Sequence, residues 1–158
     1  MDRLNFDDKG YLVPYTIIES SWEIVEEQLV FNTVRANIYV EFKKLCNEIR
    51  AIELDDFSVW IDGSFASLKT SPNDMDLVCF IDHKFYVANE IVLKKLRRSY
   101  SSLDIYFVKV YPETHANHFL TNFDSLDWLH FFTRDRQNNK KGILKFKICY
   151  ETLRPTSK

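Results

Sequence analysis

Glycine and proline are scarce in this 158-residue chain, which has 3 Gly and 4 Pro. That excludes collagen-like repeats and Gly/Pro-rich disordered segments. No apolar run approaches the roughly 20 residues that a membrane-spanning helix needs. The opening Met1-Asp2-Arg3-Leu4-Asn5 lacks the charged and apolar regions of a signal peptide, so a soluble, cytoplasmic protein with no membrane partner is expected. Cysteine is equally sparse. Cys46, Cys79 and Cys149 lie far apart inside apolar patterns with no Cys-x-x-Cys pair, so they read as buried thiols in a reducing compartment. Positive charge is not in excess either: 21 Lys and Arg stand against 23 Asp and Glu, giving a net charge of −2 and a pI near 6.1. The basic field on which non-specific nucleic-acid binding relies is therefore missing.

What is present is apolar residues at 46% and aromatics at 15%, enough for one domain with a substantial core. Residues 1–19 read as an N-terminal arm, with a turn at Asp7-Asp8-Lys9-Gly10 and an extended Tyr11-Leu12-Val13-Pro14. Residues 20–50 read as helical. Ser20-Ser21-Trp22-Glu23 starts a first helix, Asn32 caps a second, and Val34, Ile38, Phe42, Leu45 and Ile49 recur at steps of three and four. This long helix is expected to pack on a sheet and to carry no chemistry. Residues 53–56 form a polar connector.

The organising stretch is Trp60-Ile61-Asp62-Gly63-Ser64 through Asp74-Met75-Asp76-Leu77-Val78-Cys79-Phe80. It reads as a strand, a Gly-Ser turn, a polar loop with Pro72-Asn73, and a second strand opened by two aspartates. Positions i and i+2 of a strand share a face, so Asp74 and Asp76 are expected side by side. Two carboxylates so placed repel unless a cation joins them, and hard oxygen ligands suit Mg²⁺ or Mn²⁺. Gly63 lets the backbone approach a ligand closely, and Ser64 adds a hydroxyl and an N–H. Taken alone, either half of the stretch is also what an ordinary turn or a chance Asp-x-Asp would look like.

Together these residues resemble the nucleotidyltransferase superfamily with the DNA-polymerase-beta-like palm, most closely its short stand-alone members. Nine residues separate Gly63-Ser64 from Asp74-Met75-Asp76, one fewer than in the commonest form. The resemblance is specific over residues 57–110. It implies an α+β palm, a mixed β-sheet with helices mainly on one face, with 57–110 as the catalytic core and 111–150 as C-terminal helices and an edge strand. It further implies Asp74, Asp76 and Asp104 as metal-holding catalytic residues, Asp104 coming from the strand 103–110. Gly63, Ser64 and Lys69 would contact the phosphates of a nucleoside triphosphate, ATP being favoured. The implied activity is transfer of AMP to a hydroxyl acceptor. The acceptor the resemblance points to is a partner protein, such as the cognate toxin of a toxin–antitoxin or defence system. Alternatives are a tRNA end, a small molecule, or a catalytically silent module acting as an antitoxin by contact alone.

The remaining features are less specific. Residues 85–98 carry Val87, Ile91, Val92 and Leu96 at helical spacing and end in Lys94-Lys95 and Arg97-Arg98. That basic end complements the helix dipole or steers an anion. His115 and His118 stand three residues apart, a zinc-capable step on a helix, but a surface pair is the expected reading. The aromatic-rich residues 119–132 are expected to form one or two short helices over the core. In the polar turn 133–142, Arg136 or Lys140 could reach phosphates. Residues 143–148 alternate as a sheet-edge strand, and 152–158 read as a tail.

Overall fold

Apolar alternation over residues 57–62, 75–82 and 103–110 builds three adjacent strands of a five-stranded mixed sheet. The computed structural model describes residues 3–52 and 56–149, so most of the expected connector and all of the expected tail lie outside the described residues. In chain order the elements are β1 (Asn5–Phe6), β2 (Leu12–Val13), β3 (Ile17–Glu19), α1 (Trp22–Leu29) and α2 (Thr33–Ala51). They continue with β4 (Phe57–Asp62), a 3-10 turn (Gly63–Ala66), β5 (Met75–Asp82), α3 (His83–Ala88) and α4 (Glu90–Arg98). β6 (Leu103–Val110), α5 (His118–Phe132) and β7 (Ile143–Ile148) complete them. The order across the sheet is β3-β7-β4-β5-β6. β4 is antiparallel to both β5 and β7, whereas β5/β6 and β3/β7 are parallel. The fold class is thus α+β with a mixed sheet.

Because strand side chains alternate, β4, β5 and β6 each divide between two layers. Val59, Ile61, Leu77, Cys79, Ile81 and Ile105 meet Val25, Leu29, Phe42, Leu45, Ile49, Leu93 and Leu96 of α1, α2 and α4 in the main core. The opposite face carries Trp60, Val78, Phe80 and Val108, covered by Phe132, Trp128 and Leu129 of α5. At the centre of the main core, Phe42 packs on Trp22 with ring centroids 5.2 Å apart and on Phe146 at 5.9 Å. Both helix starts follow the sequence pattern. The Ser21 side chain accepts from the Ile24 amide, and Asn32 Oδ1 accepts from the Arg35 amide at 2.9 Å. No described helix is long and apolar enough to cross a membrane.

Three expectations are corrected. Residues 143–148 are not an edge strand: the three-residue β3 from the arm pairs with the outer side of β7, and Lys145 and Lys147 reach Glu19 and Asp56 at 3.7 and 3.5 Å. The segment 85–98 is two helices rather than one. Asn89 leaves helical dihedrals, and its side chain donates to the Phe85 carbonyl at 3.0 Å. Leu93 and Leu96, not Ile91, face the core, and Ile91 is 85% exposed. The aromatics of 119–132 form one helix, but Phe119, Phe123, Leu126 and Phe131 face outward, and Phe132 is its one fully buried residue among those described. His115 and His118 do not share a helix face. His115 lies in the preceding turn against His83 and Tyr111, and His118 Nδ1 meets the Tyr111 carbonyl at 2.8 Å.

Truncation should separate the two kinds of aromatic. Phe42→Ala is expected to cost about 3–5 kcal/mol in urea unfolding. Phe123→Ala, 62% exposed, should stay within about 0.5 kcal/mol.

Candidate functional site

Strand register places three carboxylates in one row. Asp62 at the end of β4 lies opposite Asp76 of β5, and Asp76 lies beside Asp104 of β6. All three belong to the face covered by α5, at the end of the sheet that α5 leaves open. There they line a cavity of about 720 Å³ with Gly63, Ser64, Lys69 and Asp74. Every residue expected at the site is therefore gathered around one cavity. Asp74 itself precedes β5 rather than opening it, and it reaches the cavity from the loop. Phe131, Arg134, Arg136 and Lys141 are among the other lining residues. Lys140 is not among the lining residues.

The row has an electrostatic cost. Burial, then the charges of Asp74 and Asp104, push the Asp76 carboxyl up to about 6. Burial likewise pushes Asp62 up to about 7, against the opposing pull of Lys141 and the Gly63 amide. Asp62 is only 4% exposed, and its Oδ1 lies 3.2 Å from the Lys141 ammonium, itself 11% exposed. Asp104 accepts a hydrogen bond from the Tyr106 hydroxyl at 3.2 Å. The Tyr106 ring is held between Trp128 and the Arg97 guanidinium, at 4.7 and 4.9 Å. Of the basic residues ending α4, Arg97 thus supports the site through this ring.

Gly63 is required twice over. Its φ of +76° is a conformation that side chains rarely adopt, and a Cβ there would overlap Asp76 Oδ2 and lie 3.0 Å from its Cγ. The glycine is what allows the Asp76 carboxylate to sit against the turn.

The loop after Gly63 is shaped by a residue that sequence reasoning passed over. Arg35 of α2 is 0% exposed. Its guanidinium donates to the carbonyls of Leu29, Ser64, Phe65, Ser67 and Lys69 at 2.5–3.2 Å. Phe31 and Phe65 rings lie 4.4 and 5.1 Å from its Cζ. Burial lowers its pKa to about 10, well above neutrality, so the charge persists. Asn32 adds a bond to the Thr70 carbonyl at 2.7 Å. From the same helix, Glu41 accepts from the Ser102 amide and hydroxyl at 3.0 and 2.6 Å, fixing the segment two residues before Asp104. The helix expected to carry no chemistry therefore positions two parts of the site. No sequence motif marks Arg35. The available signal was a lone arginine on the first turn of an otherwise apolar helix face.

Among the described residues, no group of three or more His, Cys, Asp or Glu side chains is already arranged to hold a metal ion. The donor set nevertheless suits a hard divalent cation: all ligands are oxygens, and the strain on Asp76 comes in part from neighbouring negative charge that a cation would relieve.

Two measurements probe this construction. Arg35→Met removes the guanidinium donor from five carbonyls, of which Ser64 keeps the Ser67 hydroxyl, and should cost more than about 3 kcal/mol in chemical denaturation. Arg35→Lys should recover less than half of that, because an ammonium cannot span the same fork of carbonyls. The raised Asp76 and Asp62 carboxyls hold protons that the unfolded chain has released. Stability should therefore fall as pH rises from about 4 through about 7. Asp76→Asn should then be more stable than wild type by about 1–2 kcal/mol at pH 8, discounted for partial exposure, and nearly equal to it at pH 4. Thermal melts across that range check the sign.

No curated protein and no solved structure matches the chain significantly. Residues 4–147 match a family of unknown function, DUF6932, a span that includes the arm, the carboxylate row, the Gly-Ser turn and Arg35. On that match the chain belongs to the DUF6932 family.

Proposed function

We propose that the protein is a nucleotidyltransferase of the palm type, transferring AMP from ATP to a hydroxyl acceptor. The observation that carries this reading is the combination on one sheet end of Asp76 and Asp104 in register, Asp74 beside them, and a Gly63-Ser64 turn packed against Asp76. Asp74, Asp76 and Asp104 are the residues that would hold Mg²⁺ or Mn²⁺, which when bound neutralises phosphate oxygens and lowers the cost of ionising the acceptor hydroxyl. Gly63, Ser64 and Lys69 face the same cavity and would bind the phosphates, Lys69 as a point charge. Asp104, which accepts a hydrogen bond from Tyr106, would take the acceptor's proton as the acceptor oxygen bonds to the α-phosphorus and the bond to pyrophosphate breaks.

The acceptor this surface favours is a protein. Phe131 lines the cavity, and on another side of α5 Leu126, Phe123 and Phe119 form an exposed apolar face. Such a face suits a macromolecular partner better than a small molecule, and a cognate toxin in a toxin–antitoxin pair is one such partner. The competing reading, a silent module acting by contact, draws on the same exposed face.

Isothermal titration of ATP in Mg²⁺ or Mn²⁺ decides between them. Wild type should bind ATP only with the metal, and the Asp74→Ala, Asp76→Ala double variant should show no binding. A folded wild type that binds none of ATP, GTP, CTP or UTP would overturn the enzymatic reading.

A further inference from the structure

A second cavity, of about 400 Å³, adjoins the Gly-Ser turn and is lined by Lys9, Tyr11, Ser67, Leu68, Lys69 and Lys141 with Gly63 and Ser64. It shares Gly63, Ser64, Lys69 and Lys141 with the carboxylate cavity. The two are therefore neighbouring parts of one cleft with opposite chemistry. One is lined by the aspartate row. The other has no carboxylate in its lining and receives three lysines from three separate segments.

The N-terminal hairpin is fixed over this cavity rather than laid loosely on it. The Gly10 carbonyl accepts from the Leu68 amide at 3.0 Å, and Tyr11 forms a bridge with Ser67. The Tyr11 hydroxyl donates to Asp135 at 2.7 Å, and Lys9 Nζ donates to Asn139 Oδ1. Asp135 in turn accepts from the amides of Gln137 and Asn139 at 2.9 and 2.7 Å, so the hairpin and the 134–140 turn close on each other across the cleft. Gly10 makes the approach possible. Its φ is +81°, and a Cβ there would lie 3.3 Å from Leu68 Cβ. Lys141 is held at the boundary by its ion pair with Asp62.

An extended polyanion fits this division. Its inner phosphates would lie by the carboxylates, where a cation is called for, and its outer end would lie among ammonium groups that need none. We propose that the N-terminal hairpin is part of the ligand site: Lys9, with Lys69 and Lys141, seats the terminal phosphate of a nucleoside triphosphate and so selects it over shorter phosphate chains. The identity of the ligand rests on the nucleotidyltransferase reading, whereas the anion seat rests on the cavity alone.

Titration of wild type, Lys9→Gln and Lys9→Arg with ATP and AMP in Mg²⁺, and with inorganic tripolyphosphate without metal, tests this. Lys9 is exposed, so its variants should fold, which thermal melts confirm. Lys9→Gln is expected to weaken ATP and tripolyphosphate about five- to tenfold, with AMP unchanged and Lys9→Arg close to wild type. ATP and tripolyphosphate affinities unchanged in Lys9→Gln would overturn the proposal. So would an equal loss for AMP. Lys9-dependent tripolyphosphate binding by a wild type that takes no ATP would keep the anion seat and reject the nucleotide. A wild type that binds neither would reject both.

Discussion

A single buried guanidinium determines the shape of the loop on which the cleft is built. Among the described residues Arg35 pairs with no carboxylate but gathers five carbonyls, so the cost of burying its charge is offset by oriented peptide dipoles. In a trans peptide the N–H points away from the carbonyl. Turning the carbonyls of Ser64, Phe65, Ser67 and Lys69 toward Arg35 therefore turns the following amides away from it. The Leu68 amide shows the consequence, since it reaches outward to Gly10 of the hairpin. One side chain on α2 thus sets the conformation of the Gly-Ser loop and offers the arm a place to dock.

The charges of the cleft are partitioned by the same framework. Register alone brings Asp62, Asp76 and Asp104 together, and no choice of rotamer fully separates residues on neighbouring strands. The repulsion is tolerated because the strands are held from the other face by a large apolar core. Lys141 compensates Asp62 but leaves Asp76 between two further carboxylates. A local conflict that the rest of the fold sustains is the usual mark of a functional site.

What was legible in the sequence was local. Alternation and helix caps lie within a few residues of one another, so β4, β5, β6, α1 and α2 could be read from pattern, as could the Gly63-Ser64 and Asp74-x-Asp76 pairing. Arg35 could not, because four of its acceptors are 29 to 34 residues away. The position of β7 failed for a related reason: alternating lysines look alike on an edge strand and on an inner strand whose neighbour is the three-residue β3. In α5, aromatics occupy nearly every side of the helix. Composition then says that it is apolar but not which side is buried.

That side matters for how the molecule meets others. α5 is anchored by Trp128, Leu129 and Phe132 near its C-terminal end, where it covers Val78, Phe80 and Val108. Its remaining apolar side chains contribute little to the fold, yet they bring large hydrophobic area into water, and of them Phe131 lines the carboxylate cleft. Burial inside the protein cannot account for Phe123 and Leu126, at 62% and 63% exposed, and a stripe of this kind is unfavourable for a chain that never covers it. Phe131 lines the cavity from another side of the same helix, so a surface seated on α5 would lie near the mouth of the cleft. Recognition and chemistry would then share one edge of the sheet, with the hairpin closing the opposite side.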